Sequence, residues 1–126
     1  MLRESISVLV VEDELLVRMG IVDDLEEAGF KAVEAGSASD AIKVLESRSD
    51  IRVVFTDIEM PGTMNGLALL HYVRHRWPPT IIMISSGKRR PSPDELPANV
   101  EFISKPYHST KLANVLLGIK RQLGQM

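Results

Sequence analysis

The sequence of 126 residues contains no cysteine. Disulfides, thiolate zinc sites and cysteine nucleophiles are thereby excluded, in agreement with a reducing compartment. No apolar run approaches the ~20 residues that cross a bilayer. The opening stretch, M-L-R-E-S-I-S-V-L-V-V-E-D-E, has too short an apolar core for a signal peptide and no small-residue cleavage site. Neither sign of charge is in excess. At a net charge of -2, no global field draws the chain to nucleic acid or anionic lipid. Internal repeats, low-complexity tracts and interdomain linkers are absent too. What remains is ordinary for a small cytoplasmic module, with 44% apolar and 25% charged residues. The length suits one domain, residues 1–126, built on one core.

Strand and helix patterns alternate along the chain. Short continuous apolar runs bounded by turn signals read as strands buried on both faces. They predict strands at Ile6 to Val11, Lys31 to Ala35, Ile51 to Thr56, Thr80 to Ser85 and Val100 to Ser104. Between them lie helical periods. From Glu14 to Ala28, Leu15, Leu16, Met19, Val22, Leu25 and Ala28 carry the apolar positions, and Gly29 stops the helix. Ser39 is a candidate cap for a second helix running to about Ser47, with Ala41, Ile42 and Leu45 inward. A third spans Leu67 to Arg76, with Leu67, Leu70, Tyr72 and Val73 apolar, and ends at Pro78 and Pro79. The last runs from Ser109 to about Leu123, with Leu112, Val115, Leu116, Ile119 and Leu123 on one face. Such alternation implies a parallel sheet with helices on both faces and right-handed crossovers.

Ligand chemistry in parallel sheets gathers at the carboxyl ends of the strands. There the chain places Glu12 and Asp13 after the first run, Asp57 after the third, Ser85 after the fourth and Lys105 after the fifth. Two carboxylates about 4 Å apart repel by roughly 4 kcal/mol at a surface dielectric. Fold stability gives no reason for that cluster. A divalent cation would account for it, and a cation beside a nucleophilic carboxylate points to phosphoryl chemistry. Each residue alone has a plainer reading. Glu12 and Asp13 suit a helix start, Asp57 a turn, Lys105 a solvated surface and Ser85 ordinary backbone bonding. It is their conjunction at successive strand ends that carries the chemical reading.

That ordered set, with M-P-G after Asp57 and Pro106 after Lys105, resembles the receiver domain of two-component response regulators over nearly the whole chain. The resemblance implies a flavodoxin-like, doubly wound, five-stranded parallel α/β sheet in the order 2-1-3-4-5. It makes Asp57 the phosphoacceptor, Lys105 a point charge on a phosphoryl oxygen and Ser85 a hydroxyl donor to another. Mg2+ would be held by Asp13, Asp57 and the main-chain carbonyl of Glu59, with Glu12 acting through water. Ser85 and Phe102 would form the switch, and the Lys105–Pro106 bond would be cis. The implied partners are a histidine kinase or phosphotransfer protein and an unknown output protein. No direct DNA binding and no membrane contact are expected, because no DNA-binding segment follows the last helix. The type expected is a stand-alone, cytoplasmic receiver that promotes only its own phosphorylation and dephosphorylation.

Other functions fit less well. A flavin mononucleotide protein of the same fold needs phosphate donors after the first strand, where this chain has Glu12, Asp13 and Glu14. A haloacid-dehalogenase-type phosphatase has a second Asp two residues after its nucleophile, where this chain has Glu59. A phosphate-independent interaction module on the receiver fold would have no use for the complete acid, hydroxyl and lysine set. His71 and His75 are four apart but lack a third ligand. Lys88, Arg89 and Arg90 read as a solvated loop, and Trp77 as the residue closing its helix end against the core.

Two segments depart from the family pattern. Receivers carry a helix between strands four and five. Here Pro91, Pro93 and Pro97 interrupt the segment, so the helix that would be the fourth is expected to be short or replaced by a loop. Lys88 to Asn99 is predicted mostly as loop, with one turn at Pro93 to Leu96, ordering when phosphate is present. The turn M-P-G-T-M-N-G also has one residue more than usual between Pro61 and Met64.

Overall fold

Near-continuous apolar runs bury β1 (Ser7–Val11) and β4 (Ile81–Ser86) along their whole length, and β3 (Ile51–Asp57) at every residue except Arg52. Strands β2 (Lys31–Ala35) and β5 (Val100–Ser104) expose part of their surface. The computed structural model describes residues 5–60, 64–87 and 100–124, together with 92, 94 and 96. Its five strands pair in parallel in the order β2-β1-β3-β4-β5, so the fully buried strands are central and the others are edges. This is the flavodoxin-like order that the resemblance implied.

Period-two alternation divides the core. Val8, Val10, Val53, Phe55 and Met83 point to the face covered by α1 (Leu15–Glu27) and α4 (Ser109–Gln122), where they meet Leu25, Leu112, Leu116 and Ile119. Leu9, Val11, Val54, Ile82 and Ile84 point to the face covered by α2 (Ala38–Ser47) and α3 (Gly66–Arg76), against Leu45, Leu69, Leu70 and Val73. At about 25 cal/mol per Å2 of apolar area removed from water, these two layers supply most of the driving force for folding. On the first face Lys120 of α4 donates to the carbonyl of Ala28 at 3.0 Å and lies 4.8 Å from the Phe30 ring. That puts a cation at the negative end of α1. Gly29 closes α1 with φ of 91°, as its position in the sequence implied.

Helix α1 differs from expectation in its inward face. Leu15, Leu16 and Met19 are 56%, 82% and 51% exposed, while Ile21 and Leu25 are buried and Val22 and Ala28 partly so. The segment carries two apolar stripes, and periodicity alone favoured the wrong one at its amino end. The cap of α2 is Ser37, not Ser39: its hydroxyl accepts from Asp40 N at 3.1 Å. Asn65 caps α3 by accepting from Ala68 N at 3.0 Å. Trp77 packs against the second core layer with its ring 6.1 Å from Tyr72, closing the helix end as expected.

The expectations for Lys88 to Asn99 fall outside the described residues, apart from Ser92, Asp94 and Leu96, as do Pro61, Gly62 and Thr63 of the unusual turn. Among the described residues there are four α-helices, none between β4 and β5, where Asp94 has a 3-10 conformation. No described helix is long and apolar enough to cross a membrane.

Candidate functional site

Parallel pairing brings the sequence-predicted residues to one level. Asp57 is the last residue of β3 and stands in register with Ser85 of β4, and Ser86 stands in register with Ser104, one before Lys105. Glu12 follows β1 directly, its amide donating to Ala35 O at 3.1 Å. Lys105 reaches across β4. Its ammonium lies 2.6 Å from Asp57 Oδ2 and 3.7 Å from Glu12 Oε1. Glu12, Asp57 and Lys105 therefore meet, with Glu12 and Asp57 buried, and Asp13 is exposed beside them. Asp57 Oδ1 also accepts from Glu59 N at 3.2 Å. Ser85 is buried as a residue, and its hydroxyl makes no hydrogen bond among the described residues. Phe102, in register with Ile84, is half-buried against the second core layer. The Lys105–Pro106 bond is cis. His71 and His75 are both exposed on α3, apart from this group.

Four contributors were not read from the sequence. Arg18 donates to the main-chain oxygen of Glu12 at 2.7 Å and to Glu34 at 2.9 Å, clipping the loop that carries the acidic pair. Ser86 donates its hydroxyl to Glu59 Oε2 at 2.6 Å, and Gly87 N donates to Oε1 at 3.3 Å, so the Glu59 side chain is held at the end of β4. Tyr107 stacks obliquely on Phe55 at 6.3 Å. Gly66, at the start of α3, donates its amide to Ile58 O at 3.0 Å, and a Cβ there would sit 2.0 Å from Asp57 O. The available signals were slight: a second serine after Ser85, a tyrosine after Lys-Pro, and a glycine after a capping Asn.

Electrostatics follow from burial. Burial pushes the Glu12 carboxyl up; the Glu14 amide, bonded at 3.0 Å, opposes this, and nearby Asp13 and Asp57 reinforce it. Desolvation is the larger cause, ahead of repulsion between the carboxylates. Burial pulls the Lys105 ammonium down, and the adjoining Asp57, with Glu12 and Glu59, raises it on balance. Burial, helped by Glu12, Asp24 and Asp57, pushes the Tyr107 phenol up to about 12. A carboxyl that binds its proton more tightly folded than unfolded adds stability at acid pH, and that stability is lost as pH rises through the folded value. Through Glu12, the metal-free protein should therefore gain a contribution to stability as pH falls toward the ordinary glutamate value of 4.5. Glu12→Gln should remove that gain and raise the melting temperature at neutral pH by a few degrees. A lowered melting temperature in calorimetry of Glu12→Gln would contradict this.

The donor set is hard oxygen throughout. Among the described residues no three Asp, Glu or His side chains are arranged to hold an ion by themselves. Magnesium does not need that: it takes one or two carboxylates and fills its octahedron with waters and other oxygens. Asp57, exposed Asp13 and the Glu59 carbonyl are oxygen donors of the kind such a set uses.

Residues 8–117 match the response regulator receiver domain as a family. Among curated proteins, the chain is 36% identical over 105 residues to a protein-glutamate methylesterase/protein-glutamine glutaminase of Archaeoglobus fulgidus, covering 79% of this chain and 29% of that protein. It is 34% identical over 116 residues to the sensor kinase CckA of Brucella abortus, covering 89% of this chain and 12% of that protein. The chain thus spans less than a third of either relative's length. A solved response regulator receiver protein from Pseudomonas putida matches with a TM-score of 0.79 at 26% identity, covering 93% of this chain and 99% of that one. Family match, strand order and relatives all agree: the chain belongs to the response regulator receiver domains of two-component systems.

Proposed function

We propose that the chain accepts a phosphoryl group on Asp57 from the phosphohistidine of a histidine kinase or phosphotransfer protein, and that this switches a partner-binding surface. The observation that carries the reading is the Lys105 ammonium 2.6 Å from Asp57 Oδ2, beside a Ser85 hydroxyl with no other partner among the described residues. In the reaction an Asp57 oxygen forms a bond to phosphorus while the bond from phosphorus to the histidine nitrogen breaks. Asp57 is buried and already ordered by Glu59 N, so little orientation is left to lose. Lys105 supplies a fixed positive charge for the transferred oxygens, and Ser85 supplies a hydrogen bond. Mg2+, held by Asp13, Asp57 and the Glu59 carbonyl with Glu12 behind water, would neutralise charge developing on the phosphoryl group.

Once Ser85 turns toward that group, the half-buried Phe102 on the neighbouring strand can repack, and an output protein reads the altered surface. This makes the chain a signalling module whose only chemistry is its own phosphorylation and dephosphorylation, and it fits a cytoplasmic setting. Incubation with acetyl phosphate and Mg2+, read by intact mass, tests the reading directly.

Signal lifetime gives a further check. The family resemblance sets Glu59 and Gly87 beside the path of the water that hydrolyses the aspartyl phosphate. A Cβ on Gly87 would meet Lys105 Cβ at 3.5 Å, an ordinary contact, so a side chain is tolerated there. Gly87→Arg should lengthen the half-life of the phosphorylated form, followed as decay of the added mass. A shorter half-life would contradict the steric argument.

A further inference from the structure

The amino ends of the strands, opposite Asp57, carry a second concavity. The chain passes from α2 through Arg48 and Ser49 into β3, and from α3 through Trp77 into β4. Between these turns lies a cavity of about 310 Å3. Small-molecule sites occupy roughly 300–1,000 Å3, so the space suits a small ligand. Arg48, Arg52 and Arg76 line it, and no described lining residue is acidic.

Two of the arginines are held in place from the side. Arg48 grips Asp50 through two bonds of 2.9 and 2.6 Å. Arg76 lies 5.0 Å over the Trp77 ring, donates to the Tyr72 hydroxyl at 2.8 Å and pairs with Glu46 at 3.5 Å. Arg52 has no carboxylate partner among the described residues, and the hydroxyls of Ser49 and Thr80 make no hydrogen bond there. The cavity therefore combines an uncompensated guanidinium, two uncommitted hydroxyls and an indole wall, in a chain whose net charge is -2.

We propose that this cavity binds a small organic anion bearing a flat ring, of about the size of a nucleoside monophosphate. A guanidinium fork matches the paired oxygens of a phosphate or carboxylate. Ser49 and Thr80 add neutral donors. The ring of the ligand packs on the planar Arg76 guanidinium, which lies 5.0 Å over the Trp77 ring and lines the cavity with it. Because the neighbouring arginines are pre-ordered, binding immobilises few side chains. The site is independent of the chemistry at Asp57.

Trp77 is the sole tryptophan, so its emission reports this cavity alone. The full chain is titrated with adenosine monophosphate, and separately with adenosine and with inorganic phosphate. Saturable change with adenosine monophosphate in the sub-millimolar range is expected, at least about tenfold tighter than with either fragment. Arg52→Glu should weaken it by about tenfold or more, and Arg52→Met by less, because only the first variant reverses the charge. Both variants should keep the wild-type melting temperature, since Arg52 is exposed and has no ion partner to lose among the described residues. No saturation at ~10 mM overturns the proposal. So does equal binding by adenosine, or unchanged affinity in both Arg52 variants.

Discussion

Asp57→Asn is expected to abolish labelling by acetyl phosphate. In the wild type, one phosphoryl mass should appear only with Mg2+ present, and peptide mapping should put it on Asp57. The amide of Asn is a poor nucleophile and carries no charge for a cation, so two requirements fail together. The loss should be complete within detection, several orders of magnitude in rate. Stability should move the other way or little. The substitution removes one of two buried carboxylates that share Lys105, and Asn can still accept from Glu59 N at the 3.2 Å position. Asp13→Ala should weaken Mg2+ binding, so that labelling needs more metal but is not abolished at high concentration. Undiminished labelling of Asp57→Asn would sink the assignment.

Gly66→Ala should damage both fold and site. Helix propensity alone predicts the reverse, since Ala is favoured over Gly by about 1 kcal/mol in a helix. Here the added Cβ would lie 2.0 Å from Asp57 O, 2.7 Å from Asp57 C and 2.8 Å from Ile58 Cα. These are main-chain atoms and cannot swing aside. Overpacking of this kind costs about 1–3 kcal/mol and sometimes more, which exceeds the propensity gain. The upper end of that range is expected, together with slower labelling, because the strand end that aims Asp57 must shift. At Gly20 and Gly118, also within helices, an added Cβ would meet nothing within 4 Å. Gly20→Ala and Gly118→Ala should each stabilise by up to about 1 kcal/mol. Chemical denaturation of the three variants separates the effects. If Gly66→Ala behaves like the other two, the close approach of α3 to β3 is wrong.

The strands were legible because a parallel sheet buries its central members on both faces, leaving unbroken runs such as Val8 to Val11 and Val53 to Phe55. Their ends then fixed where Glu12, Asp57, Ser85 and Lys105 would gather, since parallel strands share a direction. Less was legible where partners are distant or choices are close. Ser37 and Ser39 both suit a cap, and only the entry of the chain from β2 decides between them. The amino half of α1 is apolar on two sides, so Leu15, Leu16 and Met19 resembled core positions. Nothing local announces that Arg18 clips Glu12, that Ser86 holds Glu59, or that Gly66 abuts Asp57. Each depends on which elements become neighbours after folding.

The central position of β3 also bears on how the molecule comes into being. Lys105 meets Asp57 from 48 positions along the chain, and Ser86 meets Glu59 from 27. Contacts so distant in sequence form slowly, because the loop between them must close before any attraction repays it. The cation arrives only when β5, an edge strand paired with β4 alone, has docked. A chain with β5 undocked, whether newly synthesised or locally opened, leaves Asp57 without its counter-charge. On the proposed reaction, fraying of that one edge would remove the charge that Asp57 needs to accept a phosphoryl group.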